Sequence, residues 1–260
     1  IVHFAGSIIV PESVTDPLKY YFNNTVKSRE LMAAAVRNGV KNFVFSSTAA
    51  VYGNPSVIPV PEDEPLAPVS PYGSSKLMTE IMLRDTAAAH DFRYVALRYF
   101  NVAGADPKGR TGQSTRGATH LIKVACETLL GRRASIEVFG TDYATPDGTG
   151  VRDYIHVTDL AEAHVLALDH LRRTETSLVA NCGYGRGFSV IEVLKAVERA
   201  GGKPLPVTYG PRRAGDAEAI VARVDRIHAN LDWKPAHADL DTIVGHALAW
   251  EENLLRRNRL

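Results

Sequence analysis

The chain has 260 residues, of which 45% are hydrophobic, so it can bury a substantial core as one large domain or two unequal lobes. Its 30 basic and 29 acidic residues give a formal net charge of +1. This balance excludes a strong positive electrostatic field around the protein, so neither nucleic acid nor an anionic membrane is expected as a partner. An anionic ligand must therefore be held by local groups.

Cysteine usage and hydropathy indicate the compartment. Cys126 and Cys182 are too few for a disulfide framework and are expected to be small buried residues in a reducing environment. No apolar run approaches the roughly 18 residues that span a bilayer, and no basic-then-apolar leader opens the chain. We therefore expect a cytoplasmic protein, and we expect no metal site.

The first elements alternate between strand and helix. Residues 1–6 (IVHFAG) resemble the end of a buried strand that runs into a loop. Asp16 and Pro17 provide a cap and a first-turn proline for a helix to about Gly39. Residues 41–47 (KNFVFSS) then form a short β-rich run that ends in hydroxyl side chains.

A second helix start follows at Ser70 and Pro71, and this helix fades near His90. Residues 93–101 (RYVALRYFN) are typical of another buried strand. This order implies right-handed crossovers and a parallel sheet covered on both faces. The predicted fold class is α/β, with a Rossmann-like doubly wound parallel sheet.

The second half is more irregular, with long loops at 105–116 and 139–150 of the kind that carries ligand contacts. Its other predicted elements are a helix near 118–130, a helix from about Asp159, a strand near 178–181 and a helix with capping-box spacing at Ser189 and Glu192. We therefore assign residues 1–103 to the sheet domain. Residues 104–260 are assigned mainly to a smaller α/β lobe that binds substrate, with some segments returning to the sheet.

Tyr72 and Lys76 are the first candidate catalytic pair. They stand four residues apart just inside a helix start, which places both side chains on one helix face. An ammonium beside a phenol favours the phenolate, so we expect Lys76 to lower the Tyr72 pKa toward the range of a general base. The spacing alone is a weak signal because both residue types are common.

The strand end at 45–48 (FSST) strengthens this signal. A parallel strand points its last side chains into the crevice at the carboxyl edge of the sheet, where ligands bind in open α/β folds. Thr48 can then share a substrate hydroxyl with Tyr72. Without further support, Ser46, Ser47 and Thr48 would be interpreted as ordinary turn-capping residues.

Six segments in order along the chain resemble one known family. They are HFAG (3–6), FSSTAAVYG (45–53), SPYGSSK (70–76), RYFNVAG (98–104), DGTGVRDYIHV (147–157) and PRRAGD (211–216). Together they closely resemble the UDP-glucose 4-epimerase family of extended short-chain dehydrogenases/reductases. The resemblance covers nearly the whole chain and implies reversible 4-epimerisation of UDP-glucose and UDP-galactose through a transient 4-keto sugar, with NAD as cofactor.

The resemblance also implies residue roles. Tyr72 matches the tyrosine that takes the proton of the sugar 4-hydroxyl. Lys76 matches the lysine that binds the nicotinamide ribose, and Thr48 matches the residue that also hydrogen-bonds the sugar 4-hydroxyl. The implied NAD-contacting residues are Phe4, Ala5, Gly6, Asn23, Ser46, Ser47, Tyr72, Lys76 and Phe100. The implied substrate-contacting residues are Thr48, Asn101, His120, Leu121, Phe139, Arg152, Arg213, Asp216 and Ile220.

Several of these substrate residues have distinct implied functions. Arg152 and Arg213 match diphosphate-binding arginines, as expected for planar cations that bind phosphate oxygens in pairs. Phe139 lies where the family holds the uracil, and Asp216 matches a ribose contact. Each of the charged residues taken singly would pass for ordinary surface charge.

One departure concerns the amino terminus. The family's glycine-rich fingerprint and the acidic residue that selects NAD should precede Ile1. At about 30 residues for each βαβ unit, roughly 60 to 80 residues would be missing. We expect a chain of this length to bind NAD poorly and to leave a sheet edge uncovered, unless the segment is simply cleaved or not included.

Four alternatives stay open from the sequence. A nucleotide-sugar 4,6-dehydratase would carry an Asp-Glu pair where Ala49 and Ala50 stand. An epimerase for UDP-pentoses or for UDP-N-acetylhexosamines has the same motifs, and Ile220 stands where side-chain bulk affects an N-acetyl group. The alternative outside enzymes is a non-catalytic nucleotide-binding fragment. The family also commonly forms homodimers, for which the helices at 17–38 and 71–89 are candidates.

Overall fold

The computed structural model describes residues 1–115, 117–213 and 216–257, and the chain divides into two compact units. Unit 1 consists of residues 1–100, 162–182 and 222–233. Unit 2 consists of residues 101–161 and 183–221 and of the chain from Lys234 onward. Both units therefore contain segments that are distant in sequence.

Strands and helices alternate along much of the chain. The strands are β1 (Val2–His3), β2 (Asn42–Thr48), β3 (Arg93–Tyr99), β4 (Asn101–Ala103), β5 (Ile136–Phe139), β6 (Val151–His156), β7 (Leu178–Cys182), β8 (Gly187–Ser189), β9 (Val207–Gly210) and β10 (Ala219–Ile220). The α-helices are α1 (Val10–Thr15), α2 (Pro17–Tyr20), α3 (Lys27–Arg37), α4 (Pro71–Ala89), α5 (Leu121–Leu129), α6 (Val157–Thr174), α7 (Val190–Gly201), α8 (Asp225–Asn230) and α9 (Leu240–Arg257). A π-helix (Tyr21–Val26) joins α2 to α3.

Unit 1 contains a parallel sheet in the order β1-β2-β3-β7. Phe43 and Phe45 of β2 pack with Met32 of α3 and Leu83 of α4 in one apolar cluster. These two phenylalanines alternate with Val44, as the two-residue period of a strand requires. The predicted parallel sheet is therefore confirmed.

The helical prediction after Asp16 is confirmed with one difference in geometry. The Asp16 side chain accepts a hydrogen bond from the Lys19 amide (3.3 Å), and Pro17 occupies the first turn, as predicted. The chain then stays helical through a π-helical segment into α3. Helix α1 was not predicted, because its apolar residues Val10 and Val14 face outward and follow no core pattern.

Helix α4 begins and ends where the sequence indicates. The Ser70 side chain accepts from the Gly73 amide (3.2 Å), and Pro71 follows it. Gly73 permits a close approach, since a Cβ there would lie 2.6 Å from the Ala50 carbonyl oxygen. The helix start is thereby held against the turn that follows β2.

Unit 2 contains a sheet in the order β10-β6-β4, to which β8 adds antiparallel to β6, and a separate parallel pair β5-β9. Its core lies among α5, α7 and α9. The single strand predicted over 93–101 is wrong. Tyr99 pairs with Thr48 and Cys182 in unit 1, whereas Asn101 pairs with Tyr154 in unit 2, so the chain changes sheets at Phe100.

Three local predictions have clear outcomes. The capping box at Ser189 and Glu192 is present in both directions at the start of α7. Cys126 and Cys182 are buried and form no disulfide within the described residues. Within the described residues, we find no helix with the length and apolar character needed to cross a bilayer.

Candidate functional site

Tyr72 and Lys76 lie on one face of α4 and are both buried, the lysine being only 3% exposed. Thr48 ends β2 and is also buried. The Thr48 hydroxyl accepts from the Ala50 amide (3.1 Å) and lies close enough to the Tyr72 phenol to act on its pKa. The predicted contact of Tyr72 with Thr48 is thus present within unit 1.

The electrostatics of Tyr72 differ from the prediction. Burial raises the pKa of this phenol, and the hydrogen bond with Thr48 acts in the opposite direction but does not outweigh it. Lys76 is not among the groups that shift this pKa. The prediction that Lys76 lowers the Tyr72 pKa is therefore wrong for the structure as described, because removal from water dominates.

Lys76 itself is strongly affected by its surroundings. Burial lowers its pKa to about 8, while the charge of Glu80 acts to raise it. Its ammonium donates to the Ser46 carbonyl oxygen (2.9 Å) and lies 4.8 Å from the centre of the Phe45 ring. An ammonium has three donors, and only the bond to Ser46 involves a protein partner within the described residues.

The loop after β1 lies close to this lysine. A Cβ on Gly6 would be 3.8 Å from the Lys76 ammonium and 3.0 Å from the Asn24 side-chain oxygen. Asn23 donates to the Ser7 hydroxyl (2.9 Å), so it fixes the same loop. Among the predicted cofactor residues, Gly6 and Lys76 are therefore neighbours.

The other predicted cofactor residues have different environments. Phe4 is 59% exposed and its ring lies 4.6 Å from that of His164, while Ala5 is exposed. Phe100 is buried, and its amide donates to the Cys182 carbonyl (3.3 Å). The Ser46 hydroxyl hydrogen-bonds the His164 ring (2.7 Å), and the Ser46 carbonyl oxygen accepts from Lys76.

The residues present in unit 1 fit the ribose part of a dinucleotide. The spare donors of Lys76 suit vicinal hydroxyl groups. The absence of a side chain at Gly6 leaves the loop backbone open beside them. Lys76, Gly6 and Asn23 are the residues that would hold this part of NAD.

Apart from Thr48, the candidate substrate residues lie in unit 2, and several are placed by the sheet β10-β6-β4. Arg152 of β6 pairs in register with Ile220 of β10, and Tyr154 pairs with Asn101 of β4. The Arg152 guanidinium donates to the Val151 carbonyl (2.8 Å) and forms no ion pair within the described residues. Most of its donors are thus available to an anion.

His120 and Leu121 mark the start of α5 and line one pocket with Asn101. His120 occupies the N-cap position without capping the helix through its side chain. Its ring instead hydrogen-bonds Gln113 (2.8 Å). The first residues of the helix therefore line the same pocket, and no side chain of the N-cap residue satisfies their amide groups.

Phe139 and Arg213 are in direct contact, with the guanidinium 3.7 Å from the ring centre. The Asp216 amide donates to the Arg213 carbonyl (3.2 Å), and the Asp216 side chain is exposed. Ala214 and Gly215 of the PRRAGD motif lie outside the described residues. Two predicted substrate residues distant in sequence are thus neighbours.

Three residues near the unit 1 site were not predicted. Glu80 lies one turn beyond Lys76 and binds Arg98 in a buried ion pair (2.7 Å). Asn24 bonds both backbone groups of Ser7 (2.7 and 3.0 Å). The four-residue spacing from Lys76 to Glu80 is a usable sequence signal, whereas nothing local identifies Asn24.

Comparison with known proteins identifies the family of the chain. Residues 1–183 match the model of the NAD dependent epimerase/dehydratase family, and the chain belongs to this family. A UDP-glucose 4-epimerase of Azospirillum brasilense is 61% identical over 254 residues, which cover 98% of this chain and 73% of that protein. The predicted resemblance to the UDP-glucose 4-epimerases is thereby confirmed.

Solved structures give the same result for the fold. The UDP-glucose 4-epimerase of Brucella ovis in complex with NAD is 46% identical, with a TM-score of 0.93, over 95% of this chain and 76% of that chain. The enzyme of Bifidobacterium longum in complex with NAD+ and UDP is 41% identical, with a TM-score of 0.92, over 97% and 76%. The predicted α/β Rossmann-like fold class is therefore confirmed.

Proposed function

We propose that the protein catalyses NAD-dependent 4-epimerisation of UDP-glucose and UDP-galactose, with Tyr72 as the acid–base residue. The activity, the enzyme class and the cofactor predicted from the sequence agree with the family and with relatives named UDP-glucose 4-epimerase. The observation that carries the residue roles is the buried contact between the Tyr72 phenol and the Thr48 hydroxyl, on the helix face that also bears Lys76.

Tyr72 and Thr48 handle the proton of the reaction. Tyr72 removes the proton of the sugar 4-hydroxyl and returns it to the oxygen of the 4-keto intermediate, while Thr48 hydrogen-bonds the same oxygen. NAD held by these residues would supply the hydride acceptor and donor for C4 of the sugar. The Lys76 ammonium donates hydrogen bonds to the ribose hydroxyls and holds a positive charge beside the reacting groups.

The short turn after β2 favours epimerisation over 4,6-dehydration. The alternative function, a nucleotide-sugar 4,6-dehydratase, needs an acid and a base directly after the strand-end threonine. Ala49 and Ala50 occupy those positions in a short 3-10 turn. These side chains carry no proton donor or acceptor, so water elimination has no residue to perform it there.

Unit 2 contains the residues to which we assign substrate anchoring. Arg152 and Arg213 bind the diphosphate, and Phe139 packs against the uracil. The amide groups at the start of α5, beside His120 and Leu121, add donors for phosphate oxygens. Anchoring by the nucleotide leaves the 4-keto sugar free to turn, as epimerisation requires.

Arg213 should contribute mainly to substrate affinity. We expect Arg213→Ala to weaken UDP binding about 10- to 100-fold, because a charged hydrogen bond is worth about 1.5–3 kcal/mol. Turnover at saturating substrate should change little. Isothermal titration with UDP, together with steady-state kinetics, measures both effects.

Arg212 offers a matched control, since it is the preceding residue and binds Asp142 (2.7 Å) rather than Phe139. Arg212→Ala should leave UDP affinity close to that of the wild type. Equal UDP affinity in the Arg213 variant and the wild type would count against the anchoring role.

We also propose that the protein forms a homodimer through an apolar surface of unit 1. Leu18, Phe22 and Val26 follow one another at four-residue spacing and are 77%, 58% and 44% exposed. Met78 and Ile81 of α4 are exposed as well. These helices are the ones that the family resemblance indicates, and exposed apolar clusters of this kind favour association.

Disrupting this surface should give a monomer. We expect the double variant Leu18→Lys and Phe22→Lys to halve the mass measured by light scattering, because it places charge in an apolar contact. Val165→Lys is the control, since Val165 is 61% exposed on α6 and belongs to no such run. A wild-type monomer, or a double variant that stays dimeric, would rule out this interface.

A further inference from the structure

Helix α4 carries three buried polar side chains at i, i+4 and i+8. They are Tyr72, Lys76 and Glu80, and they are 6%, 3% and 6% exposed. Each contacts a different one of the last three residues of β2. The contacts are Tyr72 with the Thr48 hydroxyl, Lys76 with the Ser46 carbonyl and Glu80 with the Ser47 hydroxyl. One helix face therefore holds the strand end that carries Thr48.

Glu80 is itself fixed by Arg98. The Arg98 Nε donates to Glu80 Oε1 (3.0 Å), and Nη2 donates to Oε2 (2.7 Å). Arg98 is also the register partner of Ser47 in the neighbouring strand β3. Its remaining nitrogen donates to the Tyr52 hydroxyl (3.0 Å). A two-point pair as buried as this one leaves the Glu80 carboxylate little freedom to move.

The charge of Glu80 bears on Lys76. Burial disfavours a protonated amine, and Glu80 is the negative charge that counters this at Lys76 in the part of the chain that the structure describes. The other titratable groups nearby are Tyr72 on the same helix, His3 at the end of β1 and Arg98 beyond Glu80. His3 and Arg98 contribute no negative charge, so within the described residues Glu80 is the carboxylate that favours the ammonium, together with the Ser46 carbonyl and the Phe45 ring.

We propose that Glu80 is a positioning residue of this site, a role that rests on the proposed function: it fixes Ser47 beside Thr48 and keeps Lys76 positively charged in a dry pocket. It touches neither the sugar nor the cofactor in this role. Its effect is transmitted through Lys76 on one side and through the end of β2 on the other.

The test is a direct titration of Lys76 in the purified protein. Protein labelled with carbon-13 lysine is titrated by NMR, and the Lys76 signal is identified by its loss in Lys76→Met. In Glu80→Gln we expect the titration midpoint of Lys76 to fall by about one pH unit or more. An unchanged midpoint in a folded Glu80→Gln protein would overturn the proposal.

Three further variants separate charge from folding. Glu80→Asp keeps the charge and should keep the midpoint near that of the wild type. Asp85→Asn removes an exposed carboxylate from the same helix and should have no effect. If Glu80→Gln fails to fold because Arg98 is left unpaired, the double variant with Arg98→Gln removes both charges. Its Lys76 midpoint should still lie below the wild-type value, and an equal value would contradict the proposal.

The pH profile of turnover provides the functional readout. The limb of the kcat profile that Lys76 governs should move to lower pH in Glu80→Gln by the same amount as the Lys76 midpoint, while KM for the UDP-sugar stays near the wild-type value. A shifted midpoint in a protein without epimerase activity would disprove the proposed function but not the charge effect. If the wild type is active and the Lys76 midpoint is unshifted in Glu80→Gln, the role of Glu80 is disproved and the proposed function stands.

Discussion

Replacing Tyr72 with phenylalanine should lower kcat by about 10²- to 10⁴-fold, the usual worth of a general acid–base residue. The change removes one hydroxyl and keeps the ring that packs at the start of α4. Because the nucleotide part of the substrate is bound by unit 2 in the proposed scheme, KM and UDP affinity should change little. The measurement is conversion of UDP-galactose to UDP-glucose, followed by chromatography of the nucleotide sugars.

The pKa of Tyr72 gives this prediction a second readout. Burial raises it above the ordinary value for tyrosine, so the phenol is protonated at neutral pH in the structure as described. We therefore expect wild-type turnover to rise with pH as the phenolate population grows. The residual activity of Tyr72→Phe should lack this dependence.

Tyr209→Phe is a suitable control, since Tyr209 is 65% exposed on β9 and far in sequence from the candidate residues of unit 1. It should turn over at the wild-type rate. Loss of the buried Tyr72 hydroxyl should cost about 1 kcal/mol of stability, too little to unfold the protein. If the Tyr72 variant keeps near-normal turnover, another residue must transfer the proton.

Replacing Lys123 with methionine should lower the free energy of unfolding by about 3–5 kcal/mol. Lys123 of α5 is buried and forms ion pairs with Glu251 of α9 and with Glu127 (3.4 Å). It also donates to the Gln113 carbonyl (3.3 Å). Methionine fills similar volume but leaves two buried carboxylates short of a cation. Urea unfolding monitored by fluorescence and circular dichroism measures the loss.

Two further variants make this prediction specific. Lys195→Met removes an exposed lysine of α7 in the same unit and should change stability by no more than about 0.5 kcal/mol. Adding Glu251→Gln to Lys123→Met should restore part of the loss, because it removes a buried carboxylate whose remaining ionic partner is the half-exposed Arg132 (2.9 Å). A Lys123 variant as stable as the wild type would indicate that water reaches these carboxylates.

Local signals in the sequence identified much of the fold. The start of α4 follows from Ser70 and Pro71, and the start of α7 follows from Ser189 and Glu192. Each depends on atoms three or four residues apart, so neighbouring residues suffice to specify it. The placement of Tyr72 and Lys76 on one helix face has the same origin.

Contacts between distant segments could not be predicted in this way. Ser46 bonds to His164 (2.7 Å), and Phe139 stacks with Arg213, although the sequence offers no spacing that links either pair. The change of sheet at Phe100 was also missed, because both sides of it have the composition of a buried strand. Strand order decides these contacts, and it is a property of the whole chain.

The sequence by itself determined which residues have the chemistry: a phenol, an amine and a threonine hydroxyl at helix and strand ends. Only the tertiary structure decided how that chemistry is tuned. Desolvation raises the Tyr72 pKa where local reasoning predicted a decrease, and Glu80, paired with Arg98, faces Lys76. Burial and long-range charge depend on everything packed around a group, and linear spacing contains no measure of either.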